Sequence, residues 1–187
     1  GRVTLDFFQR DDLRVDRKAD DSPVTAADCQ AEQLMRERIG ACFPQDAVLG
    51  EESGETLGSS EYCWTLDPID GTKTFVAGVP LYTTLVGVLA GRQSVVGVIR
   101  APALNETVYA ASGRGAWIVR GTGPARPAHV SAVGHLADSL FVTTAVASFT
   151  KYRTLGGQDV YLRLQDATRL TRTWGDGYGY LLVATGR

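Results

Sequence analysis

Histidine, cysteine and long apolar runs are all scarce in this 187-residue chain, and each scarcity removes a class of function. The two histidines, His129 and His135, are isolated near an expected interlobe connection and read as surface or satisfied groups, so no histidine-based mechanism is expected. The three cysteines, Cys29, Cys42 and Cys63, are odd in number and lack metal or redox spacing. That pattern argues against a disulfide framework and fits a reducing cytoplasm, with all three read as small buried apolar groups. No apolar stretch approaches the ~20 residues of a membrane span, and no basic-then-apolar start marks a signal peptide. A net charge of −2 leaves no electrostatic footprint for a nucleic acid or an anionic membrane. There are no repeats, no low-complexity tracts, no Gly-x-Ser-x-Gly elbow and no Walker loop.

What is present is enough apolar matter, 44% of residues, to bury a core in one domain or two close lobes. An amphipathic helix is expected from Gly1 to Phe8, and a second over about 25–41, closed by Pro44, with Ala31, Leu34, Met35 and Ile39 at helical spacing. Leu81–Ala90 and Gln93–Arg100 flank Gly91-Arg92 and read as an antiparallel hairpin. Strand signals continue at Glu106–Ala110 and Ala116–Val119. After the break Gly121-Thr-Gly-Pro-Ala-Arg-Pro127, Leu140–Thr144 and Ala167–Leu170 read as strands among helices. The change suggests an N-terminal α+β lobe over 1–124 and the start of an α/β lobe over 125–187.

The chemistry concentrates in Trp64-Thr-Leu-Asp67-Pro-Ile-Asp70-Gly71-Thr72. Tyr62–Leu66 has the aromatic and β-branched content of a buried strand, and Pro68 predicts that it ends near Asp67. A turn through Pro68 and Ile69 would bring Asp70 beside Asp67, whereas three positions apart on a continuous strand they would face opposite ways. Two carboxylates roughly 4 Å apart repel by about 4 kcal/mol at an effective dielectric of 20, so such a pair holds a proton or binds a cation. Gly71 and Thr72 offer backbone N–H groups to an anion. A second acidic stretch, Gly50-Glu51-Glu52-Ser53-Gly54-Glu55, follows a short apolar strand and can supply a further ligand; taken alone it reads equally as a solvated loop. Oxygen donors without a Cys-x-x-Cys or a His pair favour magnesium or manganese over zinc.

Asp-Pro-Ile-Asp-Gly-Thr at 67–72, preceded by Gly-Glu-Glu-Ser at 50–53, resembles the signature of the magnesium-dependent, lithium-sensitive inositol monophosphatase-like phosphatases. Ser22-Pro-Val-Thr25-Ala-Ala-Asp28 and Leu182-Val-Ala-Thr-Gly186-Arg187 look like further landmarks, so the resemblance covers nearly the whole chain. It implies a layered α-β-α-β-α sandwich, an α/β (α+β) fold, apparently truncated at both ends. It also implies that Glu51, Asp67 and the Ile69 carbonyl bind one ion and that Asp67 and Asp70 hold a second, with two or three Mg2+ in all and Mn2+ as the substitute. Thr72 and Glu51 would orient a water, Gly71 and Thr72 would take the phosphate together with Asp70, and Asp28 would stand behind Thr72. Family members continue to a Trp-Asp motif whose aspartate completes the second metal site; this sequence stops at Arg187, so the second ion is expected to bind weakly. Homodimers are common in the family.

Gly175-Asp176-Gly177 falls where the family contacts phosphate and substrate, and Gly-Asp followed by an aromatic looks like the histidinol-phosphatase branch. Asp176 suits a substrate ammonium, which histidinol phosphate has and inositol phosphate lacks; its plain reading is a helix N-cap. Asp28 has a plain reading too, since Thr25-Ala-Ala-Asp28 fits a capping box. The haloacid dehalogenase class, with its Asp-x-Asp-Gly-Thr loop, is set aside because here the acids are one residue further apart. The expectation is a cytoplasmic phosphomonoesterase in which a metal-activated water attacks a small phosphate monoester. Histidinol phosphate is the first choice of substrate, with inositol 1-phosphate and 3′-phosphoadenosine 5′-phosphate as alternatives. A noncatalytic metal- or phosphate-ligand-binding module is the rival from another class.

Overall fold

The computed structural model describes residues 1–151 and 156–187. They form two compact units, Gly1–Ala128 and His129–Arg187. Among the described residues no helix is long and apolar enough to cross a membrane.

The first unit begins with a single helical turn, α1 (Arg2–Leu5), shorter than the helix expected from the sequence. Phe7 and Phe8 follow it through turns and pack on the core. A small hairpin of β1 (Val15–Arg17) and β2 (Pro23–Thr25) leads into α2 (Ala26–Cys42). Thr25 and Asp28 form the capping box: the Asp28 carboxylate accepts from the Thr25 N–H at 2.8 Å and from its hydroxyl at 2.6 Å. Ala31 and Ile39 are buried as the spacing predicts, but Leu34 is exposed and Glu32 is wholly buried. The cysteines also depart from expectation: Cys29 and Cys42 are exposed because α2 turns only one stripe toward the sheet, and Cys63, on β5, is half-buried.

The sheet of this unit comprises β3 (Ala47–Gly50), β4 (Gly54–Thr56), β5 (Tyr62–Asp70), β6 (Thr83–Ala90), β7 (Gln93–Ala101), β8 (Glu106–Ala111), β9 (Gly115–Arg120) and β10 (Arg126–Pro127). Their order is β10-β9-β8-β7-β6-β5-β3-β4, antiparallel except where β3 runs parallel to β5. That parallel pair carries the acidic motifs, so both stretches arrive at the same end of neighbouring strands. Phe75 and Tyr82 meet edge to face at 4.8 Å and, with Ala27 and Ile69, form the core beneath that end. A second cluster, Ile39, Val48 and Leu66, seats α2 on the sheet.

The second unit holds β11 (Leu140–Val142), α4 (Ala147–Lys151), α5 (Gly157–Ala167), β12 (Leu170–Arg172) and α6 (Asp176–Ala184). β11 and β12 pair in parallel. The strand expected from Ala167 starts only at Leu170, because Ala167 still belongs to α5 and Thr168 turns its hydroxyl back onto the Leu164 carbonyl at 2.9 Å. Phe141, Phe149 and Tyr161 form an aromatic cluster with ring centroids 5.5–6.2 Å apart.

Candidate metal and phosphate site

Pro68 does not end β5, contrary to the expectation from the sequence. The strand runs on to Asp70, and its pairing with β6 shifts register, Asp67 lying opposite Leu85 and Asp70 opposite Thr83. Three steps along β5 therefore match two along β6, a bulge of one residue. Because side chains alternate with a period of two, that extra residue returns Asp70 to the face occupied by Asp67. The predicted neighbourhood is reached by a bulge, not a turn. Pro68 suits the bulge since it has no N–H to leave unpaired, and its carbonyl accepts the Thr84 hydroxyl at 2.8 Å. Ile69, on the other face, is anchored in the core at 1% exposure.

The bulge is tied down beyond what the motif alone predicts. The buried Thr83 hydroxyl donates to Asp70 Oδ2 at 2.8 Å. Gly71 follows with φ of 83°, a left-handed conformation that any other residue would adopt only with strain, and caps α3 (Thr72–Val76). The Thr72 hydroxyl donates to the Ile69 carbonyl at 3.1 Å.

Glu51 reaches the same place from β3. Gly50 pairs with Leu66, and the Glu51 N–H donates to the Leu66 carbonyl at 3.1 Å, which sets Glu51 beside Asp67. Lys18, just past β1, places its ammonium 2.7 Å from Glu51 Oε1 and 2.9 Å from Glu52 Oε1. The side chain of Glu51 is 45% exposed and that of Glu52 only 8%, so Glu51 is the one open to a ligand.

Electrostatics single out Asp67. Burial first, then the charges of Glu51 and Asp70, push its carboxyl up to about 8, against a smaller opposing pull from the Ile69 N–H. Its Oδ1 is buried without a hydrogen-bond partner. A buried acceptor among like charges is the environment that a cation relieves, and the all-oxygen donor set of Glu51, Asp67, Asp70 and the Ile69 carbonyl fits magnesium. Among the described residues no three acidic, imidazole or thiol side chains close into a ready-made cage. Lys18 supplies the positive charge that Glu51 meets.

A pH dependence follows with a definite sign. Since the folded-state pKa of Asp67 lies above the ordinary carboxylate value near ~3.9, its contribution to stability is full below pH ~4 and is lost as pH rises through about 8. Thermal melts in EDTA should therefore fall from pH 6 to pH 8.5, and the rise in melting temperature on adding Mg2+ should grow over the same range. A Mg2+-induced shift independent of pH would contradict proton–cation exchange at Asp67.

Asp28 is buried, and burial raises its pKa; its visible partners belong to the helix cap. In the second unit, Gly175 occupies the N-cap position of α6 and Asp176 is the first helical residue, so Asp176 is not itself the cap. Asp176 is held with φ of 55°. It forms a reciprocal pair with Thr144, whose hydroxyl donates to Asp176 Oδ1 at 2.7 Å and accepts from the Asp176 N–H at 3.1 Å. Gly175 is required there, because a Cβ would stand 2.3 Å from the Thr144 nitrogen. Gly177 is buried in the first turn. His129 and His135 are exposed.

Four further residues act on these groups without having been foreseen: Lys18, Glu32, Thr83 and Thr84. Only Glu32 left a signal, being one helical turn after Asp28 on the stripe that faces the core.

The sequence profile of the inositol monophosphatase family matches residues 2–187. The chain is 40% identical over 187 residues to a histidinol-phosphatase of Chlorobaculum parvum, spanning 100% of this chain and 69% of that protein. It is 39% identical over 188 residues to a histidinol-phosphatase of Streptomyces coelicolor, spanning 98% and 69%. Among solved structures it superposes on the extragenic suppressor protein SuhB of Bartonella henselae with a TM-score of 0.84 at 27% identity, over 100% of this chain and 70% of that one. An IMPase of Thermotoga maritima gives 0.84 at 28% identity, over 100% and 68%. The layered mixed α/β fold is shared with both.

Proposed function

Because the chain belongs to the inositol monophosphatase family of phosphoric monoester hydrolases, we propose that it is a magnesium-dependent phosphatase whose substrate is histidinol phosphate. The observation that carries the reading is the bulge at Pro68, which turns Asp67 and Asp70 to one face next to Glu51 and leaves Asp67 Oδ1 buried without a partner. Glu51, Asp67, Asp70 and the Ile69 carbonyl hold the cations. Bound there, magnesium supplies Lewis acidity toward the ester and lowers the pKa of a coordinated water.

The remaining work falls to the chain's own groups. Thr72 Oγ1, its O–H hydrogen-bonded to the Ile69 carbonyl, presents lone pairs to a water proton, and Glu51 accepts the proton that leaves the water. The N–H groups of Gly71 and Thr72, at the left-handed turn that opens α3, donate to phosphate oxygens. Asp28 fixes the start of α2 and serves as a supporting residue. Asp176 is the carboxylate that pairs with the substrate ammonium, with Gly175 and Gly177 letting the backbone approach. Support for this substrate comes from the histidinol-phosphatases of about 40% identity.

Phosphate release from histidinol phosphate, inositol 1-phosphate and 3′-phosphoadenosine 5′-phosphate, with and without Mg2+ and Li+, tests the proposal. The expected outcome is Mg2+-dependent, Li+-inhibited release with the highest kcat/KM on histidinol phosphate. Mg2+ binding without release from any of the three would favour the noncatalytic module.

A further inference from the structure

We propose that Glu32 is a positioning residue for the cation site: from the buried face of α2 it holds the turn after β3 in the conformation that presents Glu51 beside Asp67. The inference rests on the reading of Glu51 as a ligand. Glu32 is 0% exposed, and the partners of its carboxylate in that turn belong to the two residues that follow Glu51: the N–H groups of Glu52 and Ser53, and the Ser53 side chain. Oε2 accepts the Glu52 N–H at 2.8 Å, and Oε1 accepts the Ser53 N–H at 3.0 Å. Two successive amides captured by one carboxylate fix the dihedrals between them, and with them the direction in which the preceding side chain leaves.

The carboxylate is itself braced. Arg36, one turn further along α2, donates from Nε to Glu32 Oε1 at 2.8 Å. Its other nitrogens reach across to the Gly54 carbonyl and, at 2.9 Å, to the Thr56 hydroxyl on β4. The Glu32–Arg36 pair thus clamps the turn and the β4 arm of the β3–β4 hairpin whose tip carries Glu51. Gly50 completes the fit: a Cβ there would lie 2.2 Å from Glu32 Oε1, so the strand passes directly over the carboxylate.

Packing alone is a poor explanation for this arrangement. A buried ion pair commonly adds little stability relative to apolar residues of the same volume, whereas removal of one member leaves the other unpaired. An apolar side chain at position 32 would fill the space but leave two turn amides without acceptors. A carboxylate there secures geometry, as partners behind a ligand do in metal sites generally.

The test uses the full chain and Glu32→Gln, which keeps the shape but removes the charge and one acceptor. Isothermal titration with Mg2+ should show affinity reduced about 10–100-fold. The Mg2+ concentration for half-maximal phosphate release should rise by the same factor, with kcat at saturating Mg2+ within about 3-fold of native. Val108→Ala, a core change in β8 remote from the turn, gives a destabilised reference that keeps native Mg2+ affinity. Should Glu32→Gln fail to fold, Arg36→Met, which removes the brace but not the carboxylate, is expected to weaken Mg2+ binding by about 3–10-fold, toward the lower end of the range for such partners. Native-like Mg2+ affinity in the folded variant tested overturns the proposal, as does an equal loss in Val108→Ala. If the native chain binds no Mg2+, the cation reading of Glu51 fails, and this inference falls with it.

Discussion

Asp67→Asn is expected to lower Mg2+-dependent phosphate release by about 10³-fold or more while raising the melting temperature of the metal-free protein. Both effects have one cause. Asp67 is a half-buried carboxylate, its Oδ1 shielded from solvent, facing Glu51 and Asp70, and that environment pushes its pKa up to about 8. Without a cation the ionised form is a liability to the fold; with one, it is the proposed ligand. Asparagine keeps the shape and removes the charge. In EDTA at pH 8.5 the variant should gain at least about 1 kcal/mol after allowance for solvent screening, roughly 2–4 °C for a chain of this size. The gain should disappear below pH ~4, where the native carboxyl is protonated in both folded and unfolded states. Melts across that range, paired with phosphate release at saturating Mg2+, check both halves. A variant that melts lower in EDTA at pH 8.5, or that keeps its Mg2+-dependent turnover, would contradict this role for Asp67.

Asp176→Asn is expected to reduce kcat/KM for histidinol phosphate by about 10²-fold and to change that for inositol 1-phosphate by less than ~3-fold. The amide can still accept from Thr144 and so preserves the reciprocal pair that holds the carboxylate in place. What it loses is the charge proposed to meet the substrate ammonium. Parallel kinetics on the two substrates separate this from a purely local role. An equal loss on both would mean that Asp176 only shapes the start of α6.

The residues proposed to carry this chemistry were legible because their types are uncommon in such close order. Asp-Pro-Ile-Asp-Gly-Thr and Gly-Glu-Glu-Ser pointed to the proposed oxygen-donor site, and the capping box at Thr25 and Asp28 announced where α2 begins. The route by which Asp67 and Asp70 become neighbours was not legible. A proline after an aspartate reads as the end of a strand, and only the ladder with β6 reveals that the chain continues through a bulge. Lys18 was equally hidden, lying in the charged run Asp16-Arg-Lys18-Ala-Asp-Asp21, where nothing separates a paired lysine from a solvated one. Leu34 is exposed although helical spacing set it on the apolar face, and Glu32 is buried, for a related reason: the helical stripe facing the sheet is set by which backbone amides need an acceptor, as well as by which side chains are apolar. The cysteines erred in the same direction, since a small side chain leaves no periodic trace of which face it occupies.

Convergence of Glu51, Asp67 and Asp70 on shared divalent ions is tested most directly by crystals of the chain grown with Mn2+, with diffraction recorded at the manganese absorption edge. An anomalous peak within coordination distance of Asp67 Oδ1, a Glu51 carboxylate oxygen and the Ile69 carbonyl is the predicted result, with the Lys18 ammonium withdrawn from Glu51. Density showing Lys18 still seated on Glu51, and no anomalous peak beside Asp67, would contradict it.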